Sequence, residues 1–245
     1  GESDPLSAFG RISGMVFPVM MFPACILYAL AELLIPELAR CNAAGSKRRI
    51  QYLVRRGLWS AMLYGLFFSG LVFLFAEPLC MRLYQEPAAG KSLRWYALMI
   101  PFLYCDAITD AMTKGLGQQR VCVRYNILTS FLDVVFLFLL LPVYGMKGYF
   151  FSFLITHLIN FLLSMRRLCI ITGFHIPFAT PALSVSAGML AAWGANALHL
   201  PLAFIPMFFL LLNLFGVLRS EDVRWLRQLV CINREKTAAK NAAPG

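Results

Sequence analysis

Residues 95–126 read WYALMIPFLYCDAITDAMTKGLGQQRVCVRYN. Within this apolar stretch, Asp106, Asp110 and Lys114 follow one another at intervals of four residues. At 100° per residue these positions drift by only about 40° per step, so they lie along one side of a helix. A carboxylate at the centre of a bilayer costs about 2.5–3.5 kcal/mol on insertion scales. We therefore expect the two acids to face a protein interior or a water-filled cavity.

This polar side of the helix has two interpretations. In the first, a buried carboxylate–lysine pair only locks helices together. In the second, the same side chains form the wall of a transport path. A neighbouring stripe of small residues would let another helix approach closely; it consists of Ala107, Ala111 and Gly115.

The composition is that of an integral membrane protein. Hydrophobic residues make up 60% of the 245 residues, charged residues only 14%, and the mean hydropathy is +0.69. Soluble domains are about 45–50% apolar and about 25% charged. Recurring runs of about 20 apolar residues indicate helices. The net charge of +10 does not indicate nucleic-acid binding, because the basic residues cluster in short segments between the apolar runs.

The sequence contains none of the motifs that are typical of the active sites of soluble enzymes. Its 7 cysteines and 3 histidines are scattered without metal-ligand spacing. It contains no G-x-S-x-G elbow, no Walker-type loop and no H-E-x-x-H motif. We therefore predict a protein that is not an enzyme and that holds no metal ion or cofactor.

The apolar runs predict an all-α, polytopic membrane helix bundle with about seven transmembrane helices. The predicted spans are 7–40, 57–76, 95–114, 122–141, 149–168, 179–198 and 201–218. Together they would form one lobe over residues 1–219, followed by an interfacial amphipathic helix (220–233) and a disordered tail (234–245). Polar and basic segments at 41–56 and 77–94 are predicted to be loops.

The first predicted helix has its own features. Pro18, Pro23 and Pro36 should kink or break it. Gly10 and Gly14 form a G-x-x-x-G contact face. Near its far end, Glu32 and Glu37 are expected to lie at headgroup level and to pair with Arg40 or with the basic loop that follows.

The distribution of basic residues predicts the orientation of the chain. Most of the 22 Lys and Arg residues follow the first, third and fifth helices or lie in the tail. The opposite loops hold only Arg11, Arg82, Lys91, Arg94 and Lys147. By the positive-inside rule, the first residue lies outside and the C-terminus lies in the cytoplasm.

Three segments carry a resemblance to a known family: GRISGMVFPVMMFPACILYALAELLIPELA (10–39), TDAMTKGLGQQ (109–119) and the helix pair over 124–168. They resemble the C-terminal half of stage V sporulation protein B-like flippases. These belong to the polysaccharide transporter branch of the multidrug/oligosaccharidyl-lipid/polysaccharide exporter superfamily. The resemblance implies one lobe of a two-lobed transporter in the bacterial plasma membrane, with the N-terminal half supplied by the same gene or by a separate chain.

The family implies a cargo and candidate residues for its path. The cargo would be a polyprenyl-pyrophosphate-linked saccharide or peptidoglycan precursor, moved by alternating access. Buried cations pair well with phosphate oxygens, so Arg11 and Lys114 are candidates to meet the pyrophosphate. Partners or coupling-ion groups would be Asp106, Asp110 and Asp133. His157 and Asn160 of the fifth helix complete the candidates for this path.

Two other functions remain open from the sequence. One is a cation-coupled multidrug antiporter of the same superfamily, in which the carboxylates bind the coupling ion. The other is a membrane scaffold or truncated remnant that transports nothing, since a single lobe has no second lobe to rock against.

Overall fold

The structure, a computed structural model, describes residues 5–174, 179–198 and 200–217. Those residues form helices joined by short turns, and no strand occurs among them. The helices are α1 (Pro5–Arg11), a π-helical turn (Ile12–Val16), α2 (Phe17–Met21), α3 (Ala24–Ala43), α4 (Lys47–Tyr84), α5 (Pro87–Ala97), α6 (Ile100–Gly115), α7 (Gln119–Tyr144), α8 (Met146–Thr172), α9 (Ala179–Ala197), a 3₁₀ turn (Pro201–Ala203) and α10 (Phe204–Leu214). The prediction of an all-α membrane helix bundle is confirmed.

Among the described residues, fewer single helices are long and apolar enough to cross a membrane than the sequence predicted. In the described part of the chain, α4, α7 and α8 are long and apolar enough to cross a membrane, and the bent pair 7–21 plus 24–43 would make a fourth span. The predicted third span is divided, because the chain breaks at Leu98–Met99 and restarts with Pro101 in the first turn of α6. The predicted seventh span, 201–218, contains a shorter apolar helix, Pro201–Leu214, which begins with the 3₁₀ turn and continues as the 11 residues of α10.

The first helix bends where its prolines predicted a break. The two halves, 7–21 and 24–43, meet at 58°. Before the bend, the Phe17 N–H bonds to Ile12 O, which makes the π-helical turn. The hydroxyl of Tyr64 donates to Pro23 O (2.7 Å) and that of Tyr104 donates to Met20 O (2.9 Å). Two carbonyls at the bend therefore find partners on α4 and α6.

Two predicted loops are helical instead. The segment 41–56 contains only a short turn, because α3 continues to Ala43 and α4 begins at Lys47. In the segment 77–94, α4 runs through Pro78 to Tyr84, and Pro87 opens α5. Helix α4 thus has 38 residues, about 57 Å at 1.5 Å per residue. The charged residues that indicated loops lie on the ends of helices.

Helix α6 packs closely against its neighbours because glycines face it or belong to it. A Cβ on Gly65 of α4 would lie 2.7 Å from Pro101 Cα, at the start of α6. A Cβ on Gly115, at the end of α6, would lie 2.8 Å from Ile35 O of α3. Both contacts involve backbone atoms, so a larger side chain would force the helices apart.

The chain divides into two compact units, Gly1–Pro177 and Phe178–Gly245. In the second unit, one side of α9 carries small buried residues: Ser184, Ala187, Ala191 and Ala195. The large buried side chains of α10 are Phe204, Phe208 and Leu212. Small residues on one helix thus pair with large ones on the other. The interfacial helix (220–233) and tail (234–245) predicted from the sequence lie outside the described residues.

Gly65→Ala should destabilise the first unit, because the added methyl group meets the backbone of Pro101. The expected loss in the free energy of unfolding is about 1–3 kcal/mol. The matched control is Gly10→Ala in α1, where an added Cβ meets nothing within 4 Å. Thermal unfolding of the purified chain in detergent measures both. A Gly65→Ala protein as stable as the Gly10→Ala protein would contradict the close α4–α6 packing.

Candidate functional site

Asp106 of α6 is buried against α8. Its side chain is only 12% exposed. The Asn160 side-chain amide donates to both carboxylate oxygens of Asp106, at 3.1 Å each. His157 Nδ1 lies 3.7 Å from Asp106 Oδ2. The structure therefore joins three candidates from two helices, and the carboxylate bridges α6 to α8.

Asp110 and Lys114, one and two turns further along α6, form a separate ion pair. Lys114 Nζ lies 2.6 Å from Asp110 Oδ2. The lysine side chain is 40% exposed and that of Asp110 is 18% exposed. Because both residues belong to α6, this pair does not lock two helices together. The contact between helices is made by Asp106 instead.

Asp133 of α7 lies in a second polar contact. Its Oδ1 accepts hydrogen bonds from the hydroxyls of Ser152 (2.8 Å) and Thr156 (3.3 Å) on α8. The Ser152 hydroxyl also lies 3.2 Å from Asp133 O. Ser152 and Thr156 are buried, and Asp133 is half-buried. A hydrogen-bonded carboxylate therefore connects α7 to α8.

Both carboxylate contacts use one stripe of α8, which the sequence analysis missed apart from Asn160. Residues at intervals of four are buried along this helix, and most are small or polar. The signal was present in the sequence as Gly148, Ser152, Thr156, Asn160 and Ser164. Spacing of four marks one face of a helix, and small polar residues mark packing faces within membranes.

Three buried oxygen atoms that belong to α6 or α8 have no hydrogen-bond partner in the part of the chain that the structure describes. They are Asp110 Oδ1, Asn160 Oδ1 and Ser164 Oγ. Together with Asp106 and the neighbouring His157, these residues of α6 and α8 make up what we call the α6–α8 polar seam: Asp106, Asp110, His157, Asn160 and Ser164. Buried oxygen atoms left unpaired are costly. Hard cations prefer oxygen ligands, so these oxygen atoms are of the kind that could bind a hard cation or a proton.

The other candidates from the sequence lie elsewhere. Arg11 is half-buried at the end of α1. Gly10 and Gly14 are exposed, and nothing in the described residues lies within 4 Å of a Cβ built on either. On α6, Ala111 and Gly115 are buried and Ala107 is half-buried. Glu37 pairs with Arg40 (3.5 Å) and Arg49 (2.8 Å), so its predicted partners are confirmed.

No cluster of three or more His, Cys, Asp or Glu side chains with metal-binding geometry occurs in the ranges that the structure covers. The polar seam itself combines carboxylate, amide and hydroxyl oxygens with one imidazole. The Asp106–Asn160 hydrogen bonds hold α6 against α8.

Comparison with known proteins gives one match. A family model described as MatE matches residues 2–139, which is more than half of the chain. The matched segment includes α6 with Asp106, Asp110 and Lys114, and α7 with Asp133. No curated protein and no solved structure gives a significant match.

A double-mutant cycle between Asp106→Asn and Asn160→Ala should give a coupling energy of about 1–3 kcal/mol, because the residues share two charge-assisted hydrogen bonds. The matched control is the cycle between Asp133→Asn and Asn160→Ala. Asp133 bonds to Ser152 and Thr156 instead, so the expected coupling is below about 0.5 kcal/mol. Chemical unfolding in mixed micelles measures the free energy of unfolding of the four proteins in each cycle: the wild type, the two single variants and the double variant. Equal coupling in the two cycles would show that Asn160 does not act through Asp106.

Proposed function

We propose, on the premise that the chain belongs to the MatE family of membrane exporters, that it forms the C-terminal lobe of a lipid-linked saccharide flippase. Its cargo would be a polyprenyl-pyrophosphate-linked saccharide or peptidoglycan precursor. The finer assignment rests on the resemblance of 10–39, 109–119 and 124–168 to the sporulation-type flippases. The family alone establishes a multi-pass membrane protein of the multidrug/oligosaccharidyl-lipid/polysaccharide exporter superfamily.

The observation that carries this proposal is the α6–α8 polar seam. Burying an ionised carboxylate in a membrane bundle is unfavourable unless it is paired. A purely structural contact between helices could use apolar or small residues at lower cost, as α4 and α6 do at Gly65 and Pro101. The presence of two acids on α6, one bonded across to α8 and one to Lys114, supports a role in transport.

The two acids suit different tasks in a transport cycle. Asp106 is enclosed by Asn160 and His157, so a proton or cation that displaces the Asn160 amide would loosen α6 from α8. Asp110 and Lys114 lie closer to the end of α6, and Lys114 is partly exposed. An anionic headgroup that bound Lys114 would compete with Asp110 for its ammonium group. Cargo and ion could then be coupled, because the acids of the two pairs, Asp106 and Asp110, lie one turn apart on α6.

The same observation supports a second candidate, a cation-coupled multidrug antiporter. The unpaired oxygens Asp110 Oδ1, Asn160 Oδ1 and Ser164 Oγ resemble the donor set of a hard monovalent or divalent cation. In that case the seam binds the driving ion, and the cargo is an organic cation rather than a lipid headgroup. Cargo assays separate the two candidates, since both place the ion at the seam.

We further propose that a second lobe, the N-terminal half, packs against this one and that the two rock in alternating access. In this arrangement the first residue lies outside, and the turns after α3 and α6 face the cytoplasm of a bacterial cell. The scaffold interpretation predicts the opposite result. A scaffold would show no transport even with an N-terminal lobe present.

Asp106→Asn and Asp110→Asn should each slow transport about tenfold or more, because each variant loses a charge-assisted hydrogen bond and the corresponding free energy changes a rate by about that factor. The folded yield of each variant should stay within about twofold of wild type. The measurement uses proteoliposomes that contain the chain with a co-expressed N-terminal half. Flipping is read as exposure of a lipid-linked saccharide headgroup to a membrane-impermeant reagent, and cation-driven efflux of a dye is read in parallel.

The matched control is Glu77→Gln, which removes an acid that pairs with Arg94 at the surface (3.7 Å). It should transport at the wild-type rate. Headgroup exposure without dye efflux supports the flippase, and dye efflux alone supports the antiporter. If the wild-type pair of lobes moves neither cargo, the scaffold interpretation is correct. If both Asp variants lose their folded yield, the acids are structural.

A further inference from the structure

Helix α4 is longer than a membrane requires. Its 38 residues extend about 57 Å, whereas the hydrocarbon core is about 30 Å thick. The apolar part follows Gly57, so the first turns, residues 47–56, extend into the headgroup region or beyond. Those turns are the basic ones: Lys47, Arg48, Arg49, Arg55 and Arg56.

The first turns of α4 have two distinct faces. On one face, Ile50, Val54 and Gly57 are buried, which fixes that side against the bundle. At 100° per residue, the directly opposite face contains Arg48, Tyr52, Arg55 and Trp59. Arg48, Tyr52 and Arg55 are exposed, and Trp59 is half-buried at the apolar end. We call these four residues the α4 stripe.

The surroundings of the α4 stripe are also basic. Gln51 donates to Thr172 O (2.9 Å), which places the start of α4 beside the end of α8. Arg167 of α8 donates to Gln118 Oε1, in the turn after α6, through two nitrogens (2.6 and 3.2 Å). The same end of the first unit therefore also displays the exposed side chains of Arg120, Arg124 and Arg166. The nearby acid Glu37 is already paired with Arg40 and Arg49.

We propose that the α4 stripe binds the phosphate headgroups of anionic phospholipids in the bilayer that holds the protein. Charge complementarity identifies the ligand, because two exposed guanidinium groups on a basic surface favour phosphate. The position of the stripe indicates that this phosphate belongs to a membrane lipid. The stripe continues directly into the apolar part of α4, and Tyr52 and Trp59 are the residue types that settle at headgroup depth.

This inference does not depend on the cargo of the proposed transporter. A lipid held at the α4 stripe contacts α4 on the side away from Ile50 and Val54, so it is not part of the α6–α8 polar seam. A free phosphate, pyrophosphate or a nucleic acid would be drawn by the same charges. Only a lipid also uses the aromatic end of the stripe, at Trp59.

The experiment titrates dioctanoyl phosphatidylglycerol into the purified full chain in a neutral detergent. Arg48→Gln/Arg55→Gln should raise the dissociation constant by about 25-fold, from about fivefold for each removed surface charge. Arg48→Lys/Arg55→Lys should bind within about threefold of wild type, since lysine keeps the charge. Binding by the wild-type chain should weaken as salt is added. Dioctanoyl phosphatidylcholine should bind at least about tenfold more weakly than the anionic lipid.

The matched control, Arg82→Gln/Lys91→Gln, removes two basic side chains far from the stripe, one in the last turn of α4 and one in α5. It should bind the anionic lipid like wild type. If the control and the Arg48→Gln/Arg55→Gln protein lose affinity for the anionic lipid to the same extent, the effect is one of general charge and the proposal is overturned. Wild-type affinity in the Arg48→Gln/Arg55→Gln protein would overturn it as well. So would inorganic pyrophosphate or a short RNA that binds as tightly as the lipid and displaces it. Thermal unfolding confirms that all variants are folded.

Discussion

A carboxylate at membrane depth must find hydrogen-bond donors within the protein, and this requirement governs how α6 meets α8. Both carboxylate oxygens of Asp106 accept from the side-chain amide nitrogen of Asn160, and His157 lies beside them. Neither helix could rotate about its axis without leaving the carboxylate or the amide unpaired, at a cost of about 1–3 kcal/mol or more. The pairing thus fixes the register of two helices whose apolar surfaces alone would allow several.

Close packing at the glycines makes this pairing possible. Asparagine and aspartate are short, so their contact needs α6 to be held firmly between its neighbours. Gly65 lets α4 touch the start of α6 at Pro101, and Gly115 lets the end of α6 touch Ile35 of α3. Tyr104 adds a hydrogen bond from α6 to the bend of the first helix. The α6 residues of the polar seam therefore lie on a helix that contacts its neighbours at both ends, with a further hydrogen bond at Tyr104.

The sequence predicted the helical class, the bend near Pro23 and the polar face of α6, because each depends on local periodicity or on proline geometry. It did not predict the ends of α4. Charged residues at 47–56 indicated a loop, yet Ile50 and Val54 pack against the bundle and keep the segment helical. It also could not assign partners. Spacing placed Asp106, Asp110 and Lys114 on one side, but only the packing of α8 shows that Asp106 bonds across helices while Asp110 bonds along its own.

Those different partners give the two acids unequal freedom. Asp110 and Lys114 can separate by side-chain rotation alone, because both belong to α6 and Lys114 is partly exposed. Asp106 cannot lose Asn160 unless α6 and α8 shift or a cation or proton replaces the amide donor. A transporter needs both kinds of contact: one that exchanges partners quickly and one whose exchange is tied to helix movement. Placing them one turn apart on α6 lets the state of one carboxylate influence the other through direct electrostatic interaction over a short distance.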